Sequence, residues 1–167
     1  AMTNYLYDGD RMISEYENET LARQYLNGTY IDERLVRYSP NQSPLYCTMS
    51  DLFSISALTN NTGVTSERYK YEAFGNRTIY APDGITTRTT SFYDSHIGFD
   101  GKTLDDTGLM FYNWRQIDPN LGRFESRDPL IGQLPLYKDI AGTNSFLPDR
   151  INPYNYIENR TTVFIDP

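Results

Sequence analysis

The sequence has few of the residue types that supply disulfides, metal ligands and strong nucleophiles. Its 167 residues include one cysteine, one histidine and one tryptophan. A single cysteine cannot form an internal disulfide, so the chain is not a disulfide-stapled secreted mini-protein. One cysteine and one histidine are also too few for an ordinary structural zinc site. We therefore expect neither a metal nor a cofactor.

Long apolar runs and an excess of positive charge are lacking as well. Stretches such as Leu109–Tyr112 are far shorter than a membrane span or the core of a signal peptide. The 15 lysines and arginines are outnumbered by 22 aspartates and glutamates, which gives a net charge of −7. This balance argues against a nucleic-acid partner, and the sequence predicts no membrane insertion.

Tyrosine, by contrast, is abundant, with 15 in the chain. Tyrosine and threonine favour half-buried strands, and turns rich in glycine, asparagine and aspartate separate short alternating segments. This pattern predicts an all-β fold of antiparallel hairpins. Single helical turns are predicted at Ser50–Ile55 and Tyr154–Asn159. The predicted strands are Asn4–Tyr7, Arg11–Tyr16, Leu21–Leu26, Arg34–Tyr38, Leu45–Met49, Ile55–Thr59, Val64–Tyr71, Arg77–Tyr80, Thr87–Tyr93, Ile97–Phe99, Leu109–Phe111 and Arg115–Ile117.

An internal repeat supports the hairpin interpretation. The segment Tyr5–Ile13 is echoed by Tyr69–Ile79: each begins with Tyr-x-Tyr and an acidic residue, continues through a glycine turn and ends with Arg-x-Ile. In a hairpin, tyrosines two positions apart share a face and glycine supplies the positive φ of the turn. The arginine of the returning strand can then reach the acidic residue or stack on a tyrosine ring.

A second motif, TGLMFYNWRQIDPNLGRFESRDP, occupies residues 107–129. It resembles the core domain associated with RHS (rearrangement hotspot) repeats, and the Tyr-x-Tyr-acid hairpins resemble the YD repeats of the same family. Residues 58–75 fit the repeat before the core, and the tail 152–167 fits the family's closing segment. The resemblance covers nearly the whole chain apart from about 133–151, and the core motif has the bacterial form.

The resemblance implies a strip of twisted antiparallel β-hairpins with a less regular C-terminal core plug. We expect YD-repeat hairpins over residues 3–93 and the core domain over 94–167, with an insert at about 133–151. Members of the family wind a long sheet into a hollow shell that the core domain plugs. A toxin or effector segment that follows the core is held inside and then released.

This chain is therefore expected to be a structural shell and end-plug segment of a bacterial toxin carrier, secreted or associated with the cell surface. Its expected partners are the remainder of its own shell and a downstream toxin or effector segment. Exposed edge strands would also allow self-association.

In many members of the family, the core cleaves its own chain with two aspartates. The matching positions are Asp128 and Asp166, each followed by proline. Two carboxyl groups that share a proton can activate water and polarise a peptide carbonyl. Arg123 and Arg127 lie close enough in sequence to bias the ionisation of these carboxyl groups. The structural alternative is that each Asp-Pro pair only opens a turn.

The chain departs from the family pattern around these aspartates. Gly132 follows Asp128 one residue later than usual, and the separation from Asp128 to Asp166 (166 − 128 = 38) is wider than usual. The glycine and leucine of the usual cleavage site are absent from this chain. At most, we expect a single-turnover, aspartic-type self-cleavage that uses residues outside it.

Two alternatives to the shell segment stay open: an intramolecular aspartyl autoprotease module, and a stand-alone tyrosine-rich β-domain that binds carbohydrate or a protein. Cys47 and His96 could also form a nucleophilic dyad. We interpret them instead as a buried cysteine and a surface histidine.

Overall fold

The computed structural model describes residues 2–50, 52–129 and 152–156. In these residues the chain forms two antiparallel sheets and a three-residue 3-10 turn, Phe99–Gly101, with no α-helix. The fold is therefore all-β, as the turn-separated alternating segments predict. No helix among the described residues is long and apolar enough to cross a membrane.

The first sheet has nine strands, each paired with its neighbours in chain order. Alternating side chains place an apolar row on its covered face, where Met12, Leu58 and Tyr69 are almost fully buried. The strands are β1 (Thr3–Asp8), β2 (Arg11–Glu17), β3 (Thr20–Asn27), β4 (Arg34–Tyr38), β5 (Leu45–Met49), β6 (Ile55–Thr59), β7 (Thr65–Tyr71), β8 (Arg77–Tyr80) and β9 (Thr87–Arg88).

Both repeats form hairpins, β1–β2 and β7–β8. Gly9 and Gly75 hold positive φ values of 61° and 96° in the two turns, the conformation that favours glycine. The Arg77 guanidinium lies 5.2 Å from the centroid of the Tyr69 ring, which is the expected stacking. In the first hairpin, Arg11 instead donates to the carbonyl of Thr29 at 2.6 Å.

The predicted strand Thr87–Tyr93 is wrong beyond Arg88. The carboxylate of Glu67 on β7 accepts hydrogen bonds from the hydroxyl of Ser91 and the backbone amide of Phe92. These bonds draw the chain off the sheet edge. Residues 91–98, which we call the crossover segment, then run over the covered face of the first sheet and insert Ile97 into its core.

The second sheet follows the crossover segment. Its strands are β10 (Thr103–Leu104), β11 (Met110–Tyr112), β12 (Arg115–Asp118) and β13 (Arg123–Phe124), paired in chain order. Its core is a cluster of nearly inaccessible side chains that includes Met110, Ile117, Phe124 and Tyr156. The sequence patterns predicted β11 and β12 to within one residue at each end but missed the two-residue strands β10 and β13.

Two further local predictions are wrong. The predicted strand Ile97–Phe99 is reduced to a single bridge from Ile97 to Thr103, because the 3-10 turn starts at Phe99. The predicted helical turn Ser50–Ile55 is a hairpin connection instead: the Ser50 amide donates to the Ser54 carbonyl at 2.9 Å, and β6 starts at Ile55. The predicted turn Tyr154–Asn159 extends beyond the described residues.

Candidate functional site around Asp128

Asp128 lies just after β13, where the chain meets a second segment from far along the sequence. The Phe124 amide donates to the Tyr154 carbonyl at 2.9 Å, and the Asp128 amide donates to the Pro153 carbonyl at 3.0 Å. Arg123 and Asn155 form an antiparallel bridge between the same two stretches. Residues 152–156 therefore extend the second sheet beside β13 and fix the backbone of Asp128.

Among the described residues, the cation in contact with Asp128 is Arg115. The Nη1 atom of Arg115 lies 3.1 Å from the Oδ2 atom of Asp128, and the Asp128 side chain is 26% exposed. The Arg115 guanidinium also stacks on the Phe124 ring, 3.5 Å from its centroid. Stacking on an aromatic face limits the freedom of the guanidinium, so Arg115 holds the carboxylate in a fixed orientation.

The residues predicted around Asp128 have different surroundings. Arg123 on β13 and Arg127 beside Asp128 are both exposed, and no ion pair between either arginine and Asp128 occurs within the described ranges. Asp166 lies outside the described residues. The proximity of Asp128 and Asp166 therefore stays a prediction.

A buried aromatic cluster links the Arg115–Asp128 ion pair to a second carboxyl group, that of Asp100. The rings of Tyr112, Phe124 and Tyr156 meet edge to face, with centroids 5.3–5.8 Å apart. The hydroxyls of Tyr112 and Tyr156 lie 2.8 Å apart, and both donate to the Oδ2 atom of Asp100. This arrangement connects the 3-10 turn, β11 and the 152–156 segment through one carboxyl group.

Asp100 is only 2% exposed and adopts a left-handed backbone conformation with φ of 49°. Its amide donates to the Ser54 hydroxyl at 2.9 Å, which ties the turn to the end of the β5–β6 connection. Desolvation raises the pKa of Asp100 from 3.8 to about 6, although the hydrogen bonds from Tyr156, Tyr112 and Ser54 oppose the rise. We interpret Asp100 as structural, because a carboxyl group this buried cannot reach a substrate.

Next to this cluster, Lys102 is buried and its ammonium lies 3.0 Å from the Oδ2 atom of Asp32. The same ammonium lies 5.1 Å from the centroid of the Tyr112 ring. A buried cation needs such a partner, since an unpaired one would be strongly destabilising. The pair therefore fastens the second sheet to the loop between β3 and β4.

The arrangement around Asp128 offers one partly exposed carboxylate, which could accept a proton from water. Among the described residues, no group of three or more histidine, cysteine, aspartate or glutamate side chains could hold a metal ion. The Cys47–His96 dyad has no support either: burial raises the pKa of the Cys47 thiol to about 11, and the Nε2 atom of His96 lies 3.1 Å from Asp94.

Sequence reasoning missed Arg115 and Asp100. The signal for Arg115 was the two-residue connection between β11 and β12, which fixes the hairpin and pairs Tyr112 with Arg115. Asp100 had no comparable signal, because Asp-Gly pairs usually mark exposed turns. Its buried partners, Ser54 and Tyr156, are distant in sequence.

Comparison with known proteins finds relatives that are much longer than this chain. The chain is 27% identical over 168 residues to the tRNA3(Ser)-specific nuclease WapA of Bacillus spizizenii and 29% identical over 168 residues to the tRNA nuclease WapA of Bacillus subtilis. Each match covers 99% of this chain and 6% of the relative. The chain thus spans a small fraction of the curated relatives it matches. No family profile matches the sequence.

Solved structures match the fold over the same extent. The crystal structure of TcdB2-TccC3-TEV superposes with a TM-score of 0.63 at 18% identity, covering 99% of this chain and 8% of the other. A Tc holotoxin pore of Photorhabdus luminescens gives a TM-score of 0.63 at 17% identity, with 99% and 7% covered. The chain therefore shares the fold of these solved structures over nearly its whole length, and its repeated Tyr-x-Tyr hairpins and core motif resemble those of the RHS/YD-repeat family.

Proposed function

We propose that the chain is a wall and end-plug segment of an RHS-type toxin carrier, which encloses and later releases a toxin or effector polypeptide. The observation that carries the proposal is the nine-stranded sheet, in which every strand pairs with its neighbours in chain order. Further hairpins of the same kind can extend such a sheet at β1 or β9, so it suits the wall of a larger shell. In this proposal, residues 3–93 contribute the wall and 94–167 the plug.

The size of the relatives agrees with this proposal. The curated relatives are tRNA nucleases of which the chain matches only 6%. A nuclease-type toxin is therefore one class of cargo that we propose for the parent protein. The partners would be the rest of the shell and the cargo segment.

The buried arginine of β3 also suits a wall, because carboxylates around it compensate its charge. Arg23 on β3 contacts three carboxylates: Glu15 at 3.0 Å, Glu17 at 2.7 Å and Asp94 at 2.6 Å. On the opposite face, half-exposed tyrosines such as Tyr46 give large cross-strand contacts without an entirely apolar surface. A wall of this composition can face water on one side.

Limited proteolysis of the longer parent protein tests the enclosure. The segment after the core should resist protease in the native parent and become cleavable when the plug is loosened by Ile117→Ala. Ile117 is fully buried, so its truncation destabilises the second sheet, whereas Ile85→Ala at an 82% exposed site serves as the matched control. A cargo segment that is cleaved equally fast in native and Ile117→Ala parents would refute enclosure.

The contacts of Asp128 favour a second, compatible function: self-cleavage of the parent chain. The backbone bond from Asp128 to Pro153 and the ion pair with Arg115 fix this carboxylate beside the segment that leads toward Asp166. In the proposed step, one carboxylate removes a proton from water while the other carboxyl group donates a hydrogen bond to the scissile carbonyl. The water oxygen bonds to the carbonyl carbon, and the C–N bond then breaks as the nitrogen takes up the proton that the first carboxylate removed. The released amine and acid are the two chain ends, so the reaction occurs once per molecule.

The self-cleavage is tested in the parent protein by gel mobility and intact mass. Asp128→Asn and Asp166→Asn should each abolish the cut, because an amide cannot act as the base. Asp106→Asn, at an exposed turn residue, should leave the cut unchanged. Cleavage that persists in both active-site variants would rule out this function and leave the wall proposal intact.

A further inference from the structure

A pocket of about 410 Å³ lies on the first sheet, where strands β5 to β8 form its floor and Gly84 of the β8–β9 turn forms part of its rim. We call it the cation pocket. Its volume falls in the range of small-molecule binding sites. Asp128 and Arg115 do not line it, so the proposed self-cleavage leaves this pocket unused.

The alternation of side chains along β7 places two cations in the cation pocket. Glu67 and Tyr69 are buried on the core side of this strand, so Arg68 and Lys70 point to the opposite face. Both cations line the pocket and both are exposed. Because they are two positions apart on one strand, their positive charges lie side by side. The register sets Arg68 opposite Tyr80 of β8, which also lines the pocket.

Uncharged groups hold these two cations in place. The Arg68 guanidinium donates from Nε to the Pro82 carbonyl and from Nη2 to the Thr65 hydroxyl, each at 3.3 Å. The Lys70 ammonium lies 5.2 Å from the centroid of the Tyr80 ring. Among the described residues, neither cation forms an ion pair with a carboxylate. Their charges are therefore available to a ligand, in a chain whose net charge is −7.

The rest of the polar lining consists of hydroxyl groups, and no aspartate or glutamate of the described residues lines the pocket. Within the same residues, the hydroxyls of Thr48 and Tyr80 make no hydrogen bond, so both can donate to a ligand. Asp83 belongs to the adjoining turn, but its carboxylate accepts from the Ile85 and Thr86 amides. The hydroxyl-bearing side chains in the lining are those of Thr48, Ser56, Thr59, Thr65 and Tyr80.

We propose that the cation pocket binds the phosphate group of a small phosphate monoester. Such a group carries a charge of about −1.5 to −2 at neutral pH and offers three strong acceptor oxygens. It matches two cations and several hydroxyl donors better than a single carboxylate does. The guanidinium of Arg68 suits two phosphate oxygens at once, and Lys70 adds a point charge. The volume leaves room for the organic part of the ester. This binding does not depend on the wall proposal.

Isothermal titration calorimetry of the 167-residue chain at constant ionic strength tests the binding. Adenosine monophosphate or glycerol phosphate should bind saturably, whereas adenosine, glycerol and the dicarboxylate succinate should not. Inorganic phosphate should bind more weakly than the better of the two esters, because it lacks the contacts of the organic part. No saturable binding of either ester, or binding of succinate or inorganic phosphate with equal affinity, would overturn the proposal.

Variants locate the binding. Lys70→Gln should lower the association constant of the ester by about tenfold or more, the expected loss of one charge-assisted contact. The matched control is Arg123→Gln, which removes the same charge from an exposed residue outside the pocket and should leave the affinity unchanged. Thr48→Val removes a hydroxyl donor without a change of charge and should also weaken binding. Wild-type affinity in both Lys70→Gln and Thr48→Val, or an equal loss in Arg123→Gln, would refute the site.

Discussion

At the residue scale, Asp100 shows how burial turns an ordinary turn residue into a pH-sensitive contact. Its pKa is raised to about 6 mainly by desolvation. The folded chain therefore favours the neutral carboxyl group more than the unfolded chain does. The contribution of this group to the free energy of unfolding is largest below about pH 4. It falls as the pH rises to about 6 and stays low above that pH. The total change is on the order of 3 kcal/mol.

Asp100→Asn should remove this part of the pH dependence. Asparagine keeps the left-handed backbone and can still pair with the Tyr112 and Tyr156 hydroxyls, but it does not titrate. Urea unfolding at several pH values between 4 and 7 measures the difference in slope between the wild type and the variant. Asp106→Asn should retain the wild-type slope. Identical pH dependence in wild type and Asp100→Asn would contradict this account.

At the element scale, one carboxylate decides where the first sheet ends. Glu67 is fully buried, accepts from the Tyr69 hydroxyl at 2.6 Å and pairs with Arg88 at 3.0 Å. Its bonds to Ser91 and Phe92 hold the start of the crossover segment. Glu67→Gln leaves the Arg88 charge uncompensated and should lower the free energy of unfolding by about 3–5 kcal/mol.

Urea denaturation checks this value. The matched control is Glu72→Gln, which changes an exposed glutamate in the β7–β8 turn and should alter stability by no more than about 0.5 kcal/mol. A loss below about 1 kcal/mol in Glu67→Gln would mean that the crossover segment is held mainly by contacts other than those of Glu67, such as the Arg23–Asp94 ion pair.

The elements also show which parts of the fold the sequence can predict. β4, β5, β6 and β8 have the predicted bounds, because alternation and turn residues are local signals. The exit of the chain at Ser91 depends on Glu67, 24 positions earlier, and no local pattern encodes it. The β-bulge in β4 opposite Leu26 and Asn27 is a similar case. In a regular strand, residues three positions apart lie on opposite faces, but the extra residue of the bulge leaves both Arg34 and Arg37 buried.

The candidate site is predictable only in part for the same reason. The motif identified Asp128, but the contact with Pro153 joins segments that are far apart in sequence. The arginine beside Asp128 is Arg115, because the hairpin register and stacking on Phe124 place it there. The sequence had pointed to Arg123 and Arg127 instead. Proximity in sequence was therefore a poor guide to which arginine lies beside the carboxylate.

At the scale of the whole molecule, an open sheet has edges that must be covered or charged. Every residue of β1 is exposed, and among the described residues β1 pairs only with β2. Its outer edge presents unpaired backbone groups beside Leu6, a 48% exposed apolar side chain. Such an edge can pair with the same edge of a second copy. We therefore expect the isolated chain to self-associate.

Leu6→Lys should oppose this pairing, because it sets like charges against each other across the new interface. The dissociation constant, measured by sedimentation over a dilution series, should rise by about tenfold or more. Leu26→Lys is the matched control: Leu26 is 51% exposed on β3, and both edges of β3 are already paired, so self-association should not change. If the wild-type chain is monomeric throughout, or if both variants weaken association equally, β1 is not the contact and the edge is covered in another way.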